Sequence, residues 1–252
     1  MWKKSDSGTE SWHIRDVMRG MPVTASGKDL YAEGSSNEGN TTNEGPIPTA
    51  NGFQVIGTNT NANSSGGPYI YIAIRRGPMK TPESGTEVFA IDQGSPFRSD
   101  PAFISGFPVD LMIQKDQNGG NGYAAARLAG PAYMNPDTTN AETSAAVYSF
   151  DWNNGFQDGN SISTRYAWMF RRAPGFFDVV AYTGTGSTMT VNHNLGVAPE
   201  MMIVKNRSSA ESWVVYHADL GATKYGFLNG TGGFSTGVFA WNDTEPTETE
   251  FT

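Results

Sequence analysis

The chain has 252 residues, with 17 Lys and Arg against 25 Asp and Glu for a net charge of −8, and no Cys. So acidic a chain repels phosphate backbones, which excludes a nucleic-acid partner, while the lack of Cys excludes a disulfide framework and thiolate metal sites. No apolar run approaches the ~20 residues of a membrane-crossing helix, so membrane insertion is not expected.

Taken from the N-terminus, one block of about ninety to a hundred residues is written more than once, the signature of a modular protein. The first copy opens at Met1-Trp2-Lys3 and runs through Glu10-Ser11-Trp12 to Gly20. It continues through Asn51-Gly52-Phe53-Gln54 and a polar loop, Asn59 to Gly67, to an apolar strand, Tyr69 to Ile74, closed by Arg75-Arg76-Gly77-Pro78. A further strand, Glu87-Val88-Phe89-Ala90-Ile91, follows. The second copy runs from Asp110-Leu111-Met112-Ile113-Gln114-Lys115 through Tyr123 to Gly130, then Val147-Tyr148-Ser149-Phe150 and Asn154-Gly155-Phe156-Gln157. Its apolar strand, Tyr166 to Phe170, is closed by Arg171-Arg172-Ala173-Pro174 and followed by Asp178-Val179-Val180-Ala181-Tyr182. The third copy runs from Glu200-Met201-Met202-Ile203-Val204-Lys205 through Trp213 to Gly221 and Val238-Phe239-Ala240-Trp241, and the sequence ends at Phe251-Thr252 without an Arg-Arg strand.

This order predicts three units, residues 1–92, 93–183 and 184–252, the first incomplete at its start and the last at its end. A fragment of a longer polypeptide is the preferred reading of those ends; strands supplied by a neighbouring chain are the alternative. Ala198 to Lys205 and Trp213 to Tyr216 predict a hairpin around the polar turn Asn206 to Ser212. Thirty Gly and 14 Pro, strand-length apolar runs and no sustained 3.6-residue period predict an all-β chain with little helix. Antiparallel strands at this unit length are most simply tandem two-layer sandwiches of jelly-roll kind.

Candidate chemistry is sparse. His13, His193 and His217 share no metal-ligand spacing with a carboxylate and are expected to be structural. Calcium is the one cofactor the loops suggest: Asp116, Asn118 and Asn121 offer hard oxygen ligands, although Asn, Asp and Gly also make plain turns. Trp12 and Trp213 recur at one repeat position inside apolar strands and are expected as core anchors. Trp152, flanked by Asp151, Asn153 and Asn154, is the better candidate for an exposed ring, and these four residues form the predicted ligand-binding loop. One Arg of each Arg-Arg pair is expected to cover a sandwich edge.

The run Tyr182-Thr183-Gly184-Thr185-Gly186-Ser187, Val191-Asn192-His193-Asn194-Leu195-Gly196 and Pro199-Glu200-Met201-Met202-Ile203-Val204-Lys205, continuing through Trp213-Val214-Val215-Tyr216-His217 and Leu220-Gly221-Ala222-Thr223-Lys224-Tyr225 to Trp241-Asn242-Asp243-Thr244, resembles repeats of bacteriophage tail-fibre and other virion proteins, particularly marine ones. Those repeats look like concanavalin A-like (laminin-G-like) sandwiches. The resemblance implies a virion structural protein, a segment of a tail fibre or surface appendage for attachment to a host-surface polysaccharide. Its partners would be other virion proteins and further copies of itself, with trimers common in such fibres. The alternative is a non-adhesive capsid-decoration or spacer module. Glycan hydrolases of this fold carry a Glu-x-Asp-x-x-Glu strand, which this sequence lacks, so no enzyme is expected.

Overall fold

A computed structural model describes residues 2–4, 11–16, 27–41, 45–49, 52–57, 60–74, 79–95, 101–130, 132–145, 147–160 and 163–252. The Arg75-Arg76 pair and the opening Met1 lie outside them. The chain is all-β: among the described residues only one four-residue α-helical turn, Thr60–Asn63, and three short 3-10 turns interrupt antiparallel strands.

The middle of the chain forms a two-layer sandwich. Its larger sheet has the order Tyr123–Ala126, Leu111–Asp116, Arg165–Phe170, Phe89–Gln93, and its smaller sheet the order Tyr148–Ser149, Gly155–Asp158, Phe103–Ile104. The strand Phe89–Gln93 straddles the expected boundary at 92 and belongs to this central sheet. Alternation along the pleat points Met112, Ala125, Ala167 and Met169 inward from one layer to meet Phe103, Phe156 and Tyr148 from the other. Eleven buried side chains make this core. Phe103 and Phe156 sit opposite each other in register with rings stacked at 4.7 Å. That contact requires Gly155, where a Cβ would lie 2.0 Å from the Phe103 carbonyl oxygen.

The C-terminal unit repeats half of this plan. Met201–Val204, Val214–His217, Lys224–Phe227 and Ser235–Thr236 form one sheet in that order, and Val191–Asn192 pairs with Glu250–Phe251. The expected hairpin is there, with Met201 opposite His217 and Val204 opposite Val214. Matching 3-10 turns follow the second strand of each copy, Arg127–Ala129 and Ala218–Leu220, each ended by a glycine at φ 74°, Gly130 and Gly221. The expected strand Asp178 to Tyr182 is not formed; those residues carry no strand pairing. Near the N-terminus, five strands in the order Gly39–Thr41, Gly27–Tyr31, His13–Ile14, Trp2–Lys4, Tyr69–Tyr71 make a sheet, beside a hairpin of Gly45–Thr49 with Gly52–Ile56.

Loops join the central and C-terminal units. The Trp213 indole N–H donates to the Asn135 carbonyl at 2.9 Å, and the Arg207 guanidinium grips the Glu142 carboxylate through two N–H groups at 2.5 and 2.9 Å. The Glu142 amide returns a bond to the Arg207 carbonyl, and Lys205 donates to Thr139.

Candidate functional site

The polar residues that set the second copy apart from the third converge on one place. Gln114 stands where the third copy has Val204, Tyr123 where it has Trp213, and Tyr148 where it has Phe239. Period-2 alternation sends Gln114 into the core, where it is fully buried. Its amide N–H groups donate to the Tyr148 hydroxyl at 2.7 Å and to Asp158 Oδ2 at 2.9 Å. Both partners are acceptors there, which fixes the amide orientation and leaves the Gln114 Oε1 buried without a partner. Asp158 also takes Arg165 at 2.9 Å through Oδ2, and its Oδ1 accepts both the backbone and side-chain N–H of Asn160 at 2.9 Å.

Above this network lies a cleft of about 160 Å³ lined by Tyr123, Tyr133, Tyr148, Val147, Asn160 and Arg165. The three tyrosines pack edge to face or tilted, with centroids 5.4 to 6.5 Å apart. The Arg165 guanidinium lies 5.1 Å from the Tyr123 ring centre, within cation–π range. Burial and then the Asp158 charge push the Tyr148 phenol well above its ordinary range, so it keeps its proton. Among the described residues no acceptor takes that hydrogen. The cleft thus offers ring faces, a phenolic donor, an amide and a guanidinium, and among the described residues no pair of carboxylates lines it.

The predicted loop sits elsewhere on the hairpin. Asp151, Asn153 and Asn154 are exposed, and Trp152 is half-buried with its indole nitrogen enclosed and unbonded. Asp151 accepts from the Ser149 hydroxyl at 2.7 Å, and the Asn154 carbonyl accepts from the Ser105 and Gly106 amides. These bonds shape a turn and bring the four residues to none of the cleft side chains.

The Asp116, Asn118 and Asn121 loop is organised around an ammonium group. Asp116 turns one oxygen to the Asn118 amide and the other to the Thr164 hydroxyl, and those two bonds, the amide first, hold its carboxyl below the usual range. Lys115 donates to the Gly120 carbonyl at 2.6 Å and to Asp137 at 2.8 Å. Burial would raise the Asp137 carboxyl, and the bonds from Lys115 and the Gly122 amide outweigh it. The repeat lysine does the same in the next copy, where Lys205 donates to the Asn206 and Ser209 carbonyls and burial draws its pKa down. A repeated lysine that gathers the carbonyls of its own hairpin loop was not legible from spacing alone. Among the described residues no group of three His, Cys, Asp or Glu converges as a metal site would.

The three histidines each find partners. His13 meets Asp29 at 2.7 Å, both buried, with Arg15 3.8 Å from the same carboxylate. His193 lies between the Leu195 amide and the Thr247 carbonyl, which places its proton on Nε2. His217 accepts from the Asp219 amide at 3.3 Å. Trp213 is buried as expected of an anchor, Trp241 packs on Tyr216, and Trp12 is half-buried with its amide on Glu33. Of the second Arg pair, Arg172 bonds Asp178 at 2.5 Å.

No curated protein and no solved structure matches this chain. A family model matches residues 1–78 and 121–252, and over that span the chain belongs to the family described as Domain of unknown function (DUF7483).

Proposed function

We propose that the chain is a segment of a bacteriophage surface appendage whose central sandwich holds a host-surface glycan in the tyrosine cleft. The observation that carries this reading is the convergence on Asp158 and Arg165 of Gln114, Tyr123 and Tyr148, three residues that differ from their third-copy counterparts. A repeat needed only as scaffold gains nothing from a buried amide and carboxylate whose desolvation must be offset bond by bond. Sugar rings present C–H faces to aromatic rings and hydroxyls to amide and guanidinium groups, which is the mixture lining the cleft. Its volume is below the ~300–1,000 Å³ of clefts that swallow a drug-sized ligand, which suits a single sugar unit at the edge of a polymer. Single-site binding would be weak, and repetition along an appendage would raise avidity without new contacts.

The test is titration of host polysaccharide fragments against the chain and its Tyr133→Ala and Asn160→Ala variants. Binding that weakens at least tenfold in both variants while they remain folded at the assay temperature, as cooperative thermal unfolding shows, supports the reading. Equal binding by all three refutes it. The second reading, a spacer contacting other virion proteins, is favoured by the loop contacts from Asn135 to Glu142 that bind one unit to the next. Gold-labelled antibody on purified particles separates the two: label on fibres fits attachment, label over the capsid fits decoration.

A further inference from the structure

Both faces of the larger central sheet are apolar. Its inward side chains build the core, and its outward ones meet in register across the strands: Ile113 stands opposite Trp168, and Trp168 opposite Ile91. Tyr166 continues this outer face one pleat along, between Lys115 and Gln93. Phe177 rests on Phe170 with ring centres 5.2 Å apart and shelters that end, whereas Ile113 and Trp168 are only half-buried and Ile91 is 55% exposed. A sheet with one solvated face alternates apolar and polar residues. This one is apolar on both sides, so its outer face is built to be covered.

The same outward positions are apolar in every copy. Counted back from the Arg pair, Trp168 and Tyr166 correspond to Ile72 and Ile70 of the first copy, which are 52% and 53% exposed. Counted back from the repeat lysine, Leu111 and Ile113 correspond to Met201 and Ile203 of the third. There Met202 and Val204 turn to the core, leaving Met201 and Ile203 outward. The chain thus carries one apolar outer face per unit, and what covers these faces must repeat with the period of the chain itself. A second copy lying alongside has that period.

We infer that two copies of the chain run parallel and pack outer face on outer face, each unit against its equivalent. Face-to-face sheets interdigitate side chains in this way inside a sandwich, and here the two sheets belong to different chains. A face that packs on itself makes an isologous contact, which closes at two copies. The assembly is therefore a pair, where the resemblance to tail fibres implies trimers. Charge agrees with the contact: of the outward positions in the four central strands only Lys115 is charged, and Asp137 lies 2.8 Å from its ammonium. Two chains of net charge −8 thus meet through an uncharged surface. The rest of their charge repels, so salt, which screens that repulsion, tightens the pair.

Sedimentation equilibrium of the full chain over a range of concentrations tests this, beside Ile91→Lys and Ile203→Lys. Both substitutions fall on outward, exposed positions in different units, and cooperative thermal unfolding checks that each variant is folded. A monomer–dimer equilibrium that tightens with salt, and whose dissociation constant rises at least tenfold in each variant, is the expected result. Nitroxide labels on single thiols, introduced as Asn153→Cys or Glu211→Cys into a chain without Cys, read the register by pulsed electron resonance. A defined intermolecular distance from both positions fits the parallel pair; a distance from one and none from the other overturns it. A monomer at every concentration, a trimer, or a pair that both lysine variants leave equally tight also overturns the inference. The glycan reading stands or falls independently, because its cleft is built from the inward side chains Tyr123 and Arg165.

Discussion

Asp158→Asn tests whether the polar cluster under the cleft is a buried network. The carboxylate is 0% exposed and the Arg165 side chain 15%. Four N–H groups converge on it: Gln114 and Arg165 on Oδ2, and the amide and side chain of Asn160 on Oδ1. An asparagine must present an NH₂ to one of those pairs, placing donor against donor, and it strips Arg165 of its counter-charge. Breaking a buried ion pair from one side costs about 3–5 kcal/mol. At roughly 2–4 °C per kcal/mol for a chain of this size, the melting temperature falls by about 6–20 °C. Urea unfolding followed by tyrosine and tryptophan fluorescence reads the loss, and an unchanged m-value confirms that the denatured state is the same. A loss below ~1 kcal/mol, the range of solvated surface pairs, would show that water reaches the cluster and would refute the reasoning.

Gly155→Ala forces a methyl to within 2.0 Å of the Phe103 carbonyl oxygen and 2.9 Å of Pro101. The cost should exceed the ~1–3 kcal/mol of ordinary overpacking, and thermal unfolding checks it. Lys115→Met should cost only about 1 kcal/mol, because Lys115 and Asp137 are both more than a third exposed. Amide exchange at Gly120 and Gly122 should nevertheless speed up as the loop loses its tether. The Glu245 carboxyl is held below its usual range by the Tyr216 hydroxyl and then the Ala222 amide. A depressed folded-state pKa stabilises above the unfolded value of about 4.3 and is lost as pH falls through the folded value. Unfolding followed from pH 7 to 2 should therefore show an acid-side loss that Glu245→Gln flattens.

The repeat made several strands and one hairpin legible in the sequence. The hairpin of Met201–Val204 with Val214–His217 and the apolar strand that ends at Lys115 and Asp116 both follow from alternation and turn chemistry. Asp178 to Tyr182 has the same β-propensity as its counterpart and is no strand, because propensity records how a side chain suits a pleat and not whether a neighbour is there to pair. The cleft was illegible for a related reason. Tyr123, Tyr133, Tyr148 and Arg165 come from four strands, and only the fold brings them within reach of one another. Two signals were nonetheless present: Tyr123 in place of the repeat's Trp, and a lone Gln114 in an apolar strand. The Asp151 to Asn154 loop drew attention because polar residues flank a Trp, yet local composition says nothing of what encloses an indole.

The clasp between Asn135 to Glu142 and the next hairpin makes the step from one repeat to its neighbour a fixed joint. A free linker would let each unit swivel; here an indole, a forked guanidinium and an ammonium set the torsion. An array assembled with this joint would turn by the same angle at every step, so corresponding faces would recur along a helical track.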